Sequence, residues 1–330
     1  MPYATDPDEQ AAPWTRLWRT GVLHSCASGI NGNYDGAFAR FWQQQFGTLR
    51  EQAVVVDIGT GNGAIPLLAQ SFAGSRTLQW QIHGIDIADI DPPGSAGAQT
   101  PSYGNIHFHP KTSMTKLPFA AGSVNLICSQ FAFEYAPREQ ATREILRVLG
   151  AQGRAALVLH SHESVIHSVS CSQADACNWL LRESGIFDAT RALLRRMAAA
   201  NDSEARERLS ADPHAEVART GFNNVASRLM DRVEQSPDAK ILQTLAQHLG
   251  QMLRHTWSSA EDADAAVMSL RSWTEDEHTR LKLMLAASLD RAALQETAGL
   301  LGASGLPVQT GKLLYQNSTV MGWTLVVGYE

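Results

Sequence analysis

Residues 53–64 read AVVVDIGTGNGA, and this stretch decides the fold. Its first six residues are apolar or β-branched apart from one acid, which is typical of a strand buried in a parallel sheet. Gly59, Gly61 and Gly63 follow, and a helical pattern begins directly after them. Glycines at such a turn allow positive φ and a close approach to a ligand, while the start of the helix offers unpaired N–H groups. The stretch therefore predicts a ligand-binding strand–turn–helix unit.

Strand and helix patterns alternate from residue 53 to residue 161. Further strands are predicted at residues 78–85, 106–109, 124–131 and 154–160, and helices at residues 64–72 and 138–149. Strands that alternate with helices through short connections form parallel sheets with right-handed crossovers. We therefore predict a doubly wound α/β domain.

The pattern changes after residue 161. Apolar residues recur at helical spacing from 163 to about 301, which predicts an all-helical insertion. Capping-box patterns at Ser258 and Thr274 predict two helix starts within it. Residues 311–316 and 320–329 then predict a C-terminal β-hairpin.

The N-terminal region has two helical patterns, at residues 14–23 and 36–46, and residues 1–10 are expected to form a loose tail. The formal net charge of −6 and the pI near 6.0 disfavour a protein that binds nucleic acid. There is no secretory signal and no apolar stretch near 18 residues, so we expect a cytoplasmic protein without a membrane span.

The cysteines and histidines do not predict a metal site. Cys26, Cys128, Cys171 and Cys177 form no C-x-x-C pair, and Cys128 is expected to be a buried small apolar residue. Two histidines and a carboxylate occur at residues 160–163, but neighbours on an extended chain point to opposite faces. We therefore expect no bound metal.

Two acidic residues narrow the choice of ligand. Asp57 lies two residues before the first glycine, and Asp86 ends the second strand, where a carboxylate can accept ribose hydroxyls. The spacing G-x-G-x-G differs from the dinucleotide pattern G-x-G-x-x-G. Asp57 would repel a pyrophosphate unless it turned away, whereas a sulfonium cofactor with an ammonium group suits an acid. These features alone leave both cofactors open.

Asp57-x-Gly59-x-Gly61-x-Gly63 resembles motif I of the class I S-adenosylmethionine-dependent methyltransferases. Asp86 is similar to that family's ribose-binding acid, and residues 117–119 (LPF) and 122–127 resemble the stretch that leads into its fourth strand. The terminal hairpin resembles its strands six and seven. The resemblance covers residues 50–161 and 306–330. It implies a seven-stranded Rossmann-like sheet, interrupted by the all-helical insertion before the C-terminal β-hairpin.

The resemblance implies S-adenosylmethionine as cofactor, with the glycines at its methionine part, Asp86 at the ribose and Ile87 at the adenine. The expected cofactor-binding residues are Asp57, Gly59, Thr60, Gly61, Gly63, Asp86, Ile87, Ser113, Met114 and Gln130. Two departures from the family's pattern weaken the prediction for the adenine end of the site. Ser113 occupies a position at which the family often has Asp, and a loop rich in Pro and Gly at residues 91–103 replaces the helix after strand two.

Methyl transfer depends mainly on alignment of the acceptor, with a base only where a proton must leave. We take His160, Tyr34 and Glu134 as candidate catalytic residues. The alternatives are a satisfied histidine at a strand end for His160 and an ordinary turn for Tyr34. The chain lacks the Asn/Asp-Pro-Pro-Tyr/Phe motif after strand four, which lowers the expectation of a nucleic-acid or glutamine substrate.

The predicted organisation has three parts. Residues 1–50 form a helical segment that covers the cofactor site, residues 51–161 and 306–330 form the cofactor-binding core, and residues 162–305 form the insertion. The insertion is expected to act as a lid, a substrate pocket or a homodimer interface. The predicted function is methyl transfer to an O or N atom of a small-molecule acceptor. The alternatives are a cofactor-binding regulatory or scaffold protein and an NAD-dependent oxidoreductase, which the glycine spacing disfavours.

Overall fold

The computed structural model describes residues 7–25, 32–95, 102–198, 200 and 203–328. The chain divides into two compact units, which we call the α/β unit (Met1–Ser168 and Ala286–Glu330) and the helical unit (Val169–Leu285). Predictions made for residues 1–6, Cys26, residues 96–101 and Tyr329 lie outside the described residues.

Strands and helices alternate as far as residue 159, and a series of helices and a final pair of strands follow. In chain order the elements are α1 (Pro7–Trp18), α2 (Gly36–Phe46), β1 (Val54–Ile58), α3 (Ala64–Ser75), β2 (Gln81–Ile85), α4 (Pro92–Ser95), β3 (Ile106–His109), β4 (Val124–Gln130), a short 3-10 helix (Phe133–Tyr135), α5 (Arg138–Val148), β5 (Leu149–Leu159), α6 (Val165–Arg182), α7 (Ile186–Ala198), α8 (Ser203–Ser210), α9 (Pro213–Gln235), α10 (Lys240–Arg254), α11 (Ala260–Ala287), α12 (Arg291–Gly302), β6 (Val308–Tyr315) and β7 (Thr319–Val327).

The α/β unit is built on one seven-stranded sheet in the order β3-β2-β1-β4-β5-β7-β6. The first five strands are parallel, and β7 lies antiparallel between β5 and β6. This arrangement confirms the predicted fold class, including the antiparallel hairpin after the helical insertion. Strand order reverses beside β1, so the carboxyl ends of β1 and β4 meet where open α/β sheets bind ligands.

Two apolar layers hold this sheet. One layer joins α2 and α3 to one face, with Trp42 and Phe46 fully buried. The other joins α5 and α12 to the opposite face around Ile145 and Leu301. The prediction placed α12 in the insertion, but it packs on the sheet and belongs to the α/β unit.

The N-terminal helix differs from the prediction. Helix α1 begins at Pro7 and ends at Trp18, so part of the expected loose tail is helical and the expected extension to residue 23 is not. The physical reason is burial of apolar surface, because the segment from Trp14 to Val22 packs against Ala88 and Ile90. Helix α2 was predicted with its observed bounds.

Strand β5 also begins earlier than predicted, at Leu149 instead of residue 154. Leu149 pairs with Val124, and Arg154 pairs with Leu126. The residues between Leu149 and Arg154, which include two glycines, therefore form an irregularity in the register, as in a β-bulge. A sequence pattern of turn glycines does not distinguish such a bulged strand from a true turn.

The helical unit has its own apolar core, in which Ile241, Leu242, Leu245 and Leu249 of α10 are buried. The two predicted capping boxes are wrong. Helix α11 begins one residue later than expected, since Ser259 Oγ, not Ser258, accepts the N–H of Asp262 at 3.0 Å. Thr274 lies inside α11, where its hydroxyl donates to the Leu270 carbonyl at 2.9 Å.

The chain leaves the sheet and returns to it at one point. Ser161 and Leu289 form a parallel bridge, in which Leu289 N–H donates to the His160 carbonyl at 2.9 Å and His162 N–H donates to the Leu289 carbonyl at 3.1 Å. The indole N–H of Trp323 on β7 donates to the same Leu289 carbonyl at 3.1 Å. No described helix is both long enough and apolar enough to cross a membrane.

Candidate active site

The glycine turn lies between β1 and α3 and has left-handed backbone at three positions. Gly59, Gly61 and Gly63 have φ of 71°, 52° and 82°. The amides of Gly59 and Thr60 both donate to the Ile85 carbonyl at 2.9 Å, which ties the turn to the end of β2. Only glycine adopts such a backbone without strain, so the three glycines are required by the conformation itself.

These glycines are also required by close packing. A Cβ on Gly59 would overlap the Cβ of Ala132, and a Cβ on Gly61 would lie 2.7–2.9 Å from the indole of Trp18. The turn is therefore in contact with the chain after β4 on one side and with α1 on the other.

Asp57 lies in β1 directly before the turn and is 2% exposed. Its Oδ1 has no hydrogen-bond partner among the described residues. Burial raises the pKa of Asp57 to about 8; the Thr60 hydroxyl opposes this rise and the neighbouring Asp86 adds to it. A cation brought to this carboxylate would favour its ionised form.

Asp86 follows β2 and is also buried. Its Oδ2 accepts the Gly61 N–H and its Oδ1 accepts the Ala88 N–H, both at 2.8 Å. Burial raises the pKa of Asp86 to about 6 against the lowering effect of these two bonds. Each carboxylate oxygen retains a second lone pair that can accept a ligand hydroxyl. The next residue, Ile87, is 41% exposed.

Two residues predicted at the adenine end of the site, Met114 and Ser113, have different contacts in the structure. Met114 lies by the glycine turn, with its Cε 3.8 Å from the position of a Cβ on Gly59. Ser113 is engaged locally, since its hydroxyl bonds the Thr115 hydroxyl at 2.8 Å and accepts the Thr115 N–H at 3.2 Å. The loop that follows β2 contains only the four-residue helix α4 among its described residues, as the Pro/Gly pattern predicted.

Gln130 ends β4 and is buried. The indole N–H of Trp42 donates to its Oε1 at 2.5 Å, which fixes the side chain. Its Nε2 has no partner among the described residues. The amide therefore presents an unused donor at the carboxyl edge of the sheet.

Glu134 and His160 are joined by a direct hydrogen bond. Glu134, 1% exposed, accepts the backbone N–H of His160 on Oε1 at 2.6 Å, while its Oε2 has no partner in the described part of the chain. Burial raises the pKa of Glu134 to about 7. Burial lowers the pKa of the His160 imidazole to about 3, and the charge of His167 adds to this effect. The imidazole is therefore neutral at physiological pH.

Phe131 was not predicted as a site residue, yet it shapes this edge. It has φ of 56°, an unfavourable value for a bulky side chain, and its N–H donates to the Val158 carbonyl at 2.7 Å. Its ring stacks on the His160 imidazole with centroids 4.4 Å apart and planes at 13°. Gly322 on β7 provides the space, because a Cβ there would lie 3.1 Å from the Phe131 ring.

The stacked pair is part of a continuous series of ring contacts that we call the aromatic chain. Successive centroids lie 4.4–6.2 Å apart. Its members, in order of contact, are His24, Tyr34, Phe38, Phe131, His160, Tyr135, Trp14 and Trp18. Tyr34, a predicted catalytic residue, is thus a buried member of this series.

Two segments that carry members of the aromatic chain are bonded to the turn and to the helix that follows it. Asn62 in the turn donates from Nδ2 to the carbonyls of Trp18 and Val22, each at 2.7 Å. Asn33, next to Tyr34, donates from Nδ2 to the carbonyl of Ala64, the first residue of α3, at 2.8 Å. Between these two segments the series passes the carboxyl ends of β4 and β5, at Phe131 and His160.

The described residues contain no group of three or more His, Cys, Asp or Glu side chains placed to hold a metal ion. Cys128 is fully buried in β4, as predicted.

Comparison with protein-family models gives one match, to the methyltransferase domain, over residues 56–157. Over residues 56–157 the chain is therefore similar to the methyltransferase domain. The matched residues run from β1 into β5 and include the glycine turn, Asp86 and Glu134. A search of curated protein sequences finds no match.

Solved structures similar to this chain include three methyltransferases, of which one is named with a substrate and one with an activator protein. A geranyl diphosphate C-methyltransferase from Streptomyces coelicolor A3(2), crystallised with Mg²⁺, geranyl diphosphate and S-adenosyl-L-homocysteine, is 17% identical; the match covers 48% of this chain and 66% of that one, with a TM-score of 0.36. A methyltransferase in complex with a methyltransferase activator from Haloferax volcanii is 23% identical over 48% of this chain and 60% of that one, with a TM-score of 0.32.

An S-adenosylmethionine-dependent methyltransferase from Aquifex aeolicus is 18% identical over 48% of this chain and 74% of that one, with a TM-score of 0.30. The chain spans 60–66% of the length of the first solved structures that it matches. Similarities of this size do not bear on the acceptor.

Proposed function

We propose that this chain transfers the methyl group of S-adenosylmethionine to an O or N atom of a small-molecule acceptor. The observation that carries the proposal is the buried carboxylate of Asp57, with an unpartnered Oδ1, beside the left-handed glycine turn. When bound, the cofactor supplies an electrophilic methyl group on a sulfonium centre. An acid at this turn fits its cationic amino group and does not fit a pyrophosphate.

The other residues of the site fit the same cofactor. Asp86 keeps free lone pairs for two ribose hydroxyls, and the exposed Ile87 offers an apolar contact for the adenine. Met114 reaches the glycine turn, and Gln130 Nε2 offers a donor for a carboxylate. Ser113 is engaged in its own turn, so we assign it no direct contact.

Two tasks remain for the chain's own residues, which are to exclude water and to accept a proton. The aromatic chain supplies apolar surface that keeps water from the reacting atoms. Glu134 suits proton transfer, because a base with a pKa near 7 works best near neutral pH. His160, with a pKa of about 3, is a weak base, and its ring stacked on Phe131 suits a positioning role.

The test combines binding and turnover. Calorimetry with S-adenosylhomocysteine is expected to show binding to the wild type and much weaker binding to Asp57→Ala. Methyl-labelled S-adenosylmethionine is then incubated with a panel of small alcohols, amines and carboxylates, and label in any product supports the proposal. Binding without transfer to any acceptor would favour a regulatory protein, and binding of NAD in place of S-adenosylhomocysteine would overturn the cofactor assignment.

For the helical unit we propose a homodimer interface. Its exposed large apolar side chains, Val217, Met230 and Met268, support this role. Light scattering should give twice the monomer mass for the wild type and a lower mass for Met268→Glu; a monomeric wild type would refute the proposal.

A further inference from the structure

We propose that the acceptor is an amine, which binds as an ammonium ion between Glu134 Oε2 and the aromatic faces at the ends of β4 and β5. This inference rests on the proposed methyl transfer and refines it, because it selects nitrogen over oxygen as the reacting atom. It is carried by the carboxylate, by the rings of Tyr135 and His160, which are its chain neighbour and its hydrogen-bond partner, and by the position of the positive charges in the α/β unit.

The first observation concerns the Glu134 carboxylate. One oxygen is satisfied by the His160 backbone N–H, and the other is buried without a partner among the described residues. Leaving a buried acceptor unpaired has a cost, and an ionised one far more so. An ammonium group supplies both a donor and the opposite charge, so it satisfies this oxygen more fully than a hydroxyl does.

The second observation concerns the rings carried by residues next to Glu134 and by its hydrogen-bond partner. Tyr135 follows Glu134 directly, and its ring meets the imidazole of His160 edge-on, with centroids 6.0 Å apart, while Phe131 stacks on the same imidazole. Trp14 meets Tyr135 edge-on at 5.6 Å. The faces of aromatic rings attract cations through their quadrupole and offer nothing comparable to an anion.

The third observation is where the positive charges lie. Six described Lys and Arg side chains of the α/β unit pair with carboxylates outside the site: Arg19 and Lys111 with Asp89, Arg138 with Glu296, Arg147 with Glu144, and Arg291 and Lys312 with Glu163.

Among the described Lys and Arg residues of this unit, Arg154 alone is buried. It precedes His160 by six residues along an extended strand, which is roughly 20 Å. A carboxylate or phosphate acceptor would therefore meet the Glu134 carboxylate without a buried Lys or Arg beside it among the described residues of this unit.

The chemistry of the step is balanced. The ammonium gives one proton to Glu134 Oε2 and becomes an amine with a free electron pair. The new N–C bond forms as the methyl–sulfur bond breaks, and the pair from the broken bond stays on sulfur. The methylated nitrogen carries the positive charge that the sulfonium had, so no oxidant or reductant is needed. Burial of Glu134 raises its pKa to about 7, which makes it a better proton acceptor than an exposed glutamate.

The experiment measures binding to protein saturated with S-adenosylhomocysteine, so it does not depend on turnover. The probes are primary amines from methylamine to phenethylamine, each with the alcohol and the carboxylate of matched length. At pH 7.5 we expect at least one amine to bind at least tenfold more tightly than its matched alcohol, and the carboxylates to bind most weakly. In Glu134→Gln, which keeps an acceptor for the His160 N–H, this preference should disappear while the affinity for S-adenosylhomocysteine is retained.

Glu296→Gln is the matched control, because that carboxylate is exposed and paired with Arg138. It should keep the preference for amines. If no amine in the panel binds more tightly than its alcohol, or if Glu134→Gln keeps the preference, the inference is overturned. Transfer of label to alcohols or carboxylates in preference to amines overturns it too, and leaves the proposed methyl transfer intact. Absence of S-adenosylhomocysteine binding instead contradicts the proposed function itself.

Discussion

The protonation of Asp57 predicts how cofactor affinity changes with pH. Burial raises the pKa of this carboxyl to about 8, so the free protein at pH 7 holds it mainly in the neutral form. A cofactor with cationic groups favours the ionised form, and binding must then release the proton. The perturbation is a pH series from 6 to 8.5, whose lower limit equals the pKa of about 6 for Asp86.

The magnitude follows from linkage. Below the pKa of Asp57 in the unliganded protein, each decrease of one pH unit lowers the affinity for the cofactor about tenfold, equivalent to about 1.4 kcal/mol. With a pKa of about 8 for Asp57, binding of S-adenosylhomocysteine, whose amino group is also cationic, should be about a hundredfold weaker at pH 6 than above pH 8. At pH 7 binding should release about 0.9 proton.

The assay is titration calorimetry in two buffers of different ionisation enthalpy, which counts the protons released. Asp57→Asn has the shape of the neutral acid, so its affinity should be weak and nearly independent of pH. Glu134→Gln is the second control. The pKa of Glu134 is also raised, to about 7, so this variant separates any effect of Glu134 on the pH dependence from that of Asp57. A wild-type affinity that stays constant from pH 6 to 8.5, with no proton release, would refute the assignment of Asp57 to the cationic end of the cofactor.

Three further outcomes are expected. Gly59→Ala should lower the free energy of unfolding by roughly 2–4 kcal/mol, because φ is 71° and the new Cβ overlaps the chain after β4, whereas Gly74→Ala, in open space on α3, should not destabilise; thermal melts compare them. The pKa of Glu134 is raised in the folded state, so the folded protein binds this proton more tightly than the unfolded chain does, and the stability gained in this way is lost as pH rises from 4.5 towards 7. Urea titrations should therefore show a free energy of unfolding that depends less on pH in Glu134→Gln than in the wild type. Parallel pH profiles of the two proteins would contradict the burial argument. Asn62→Ala removes both bonds that hold the end of α1, so limited proteolysis should cut residues 19–25 faster than in the wild type; equal rates would show that packing alone holds α1.

Much of the fold could be predicted because its signals are local. The turn with positive φ at Gly59, Gly61 and Gly63 is formed by residues that are close together in the chain, so its glycines can be recognised in the sequence. Buried strands such as β1 appear as apolar runs. The order of the sheet then follows from the rules for parallel crossovers. Local patterns failed where tertiary packing decides, as at Thr274, whose capping-box pattern lies inside a continuous helix.

The candidate site could be predicted only in part. The acids beside the glycine turn are recognisable from their spacing, but their protonation depends on burial, which the sequence does not report. The aromatic chain was not predicted, because its rings come from residues between 14 and 160 that meet only after folding. Phe131 gave no signal at all, since an aromatic residue at the end of a strand is ordinary until its backbone is seen to be left-handed.

The bridge between Ser161 and Leu289 has a consequence for how this protein can change. The residues between those two positions begin and end side by side, and the sheet pairs them directly. The length and content of the intervening chain therefore impose no geometric demand on the strands, so a replacement needs only to start and finish at neighbouring points. A lineage or a designer can exchange that segment for another, or shorten it to a brief loop, and keep the seven-stranded sheet.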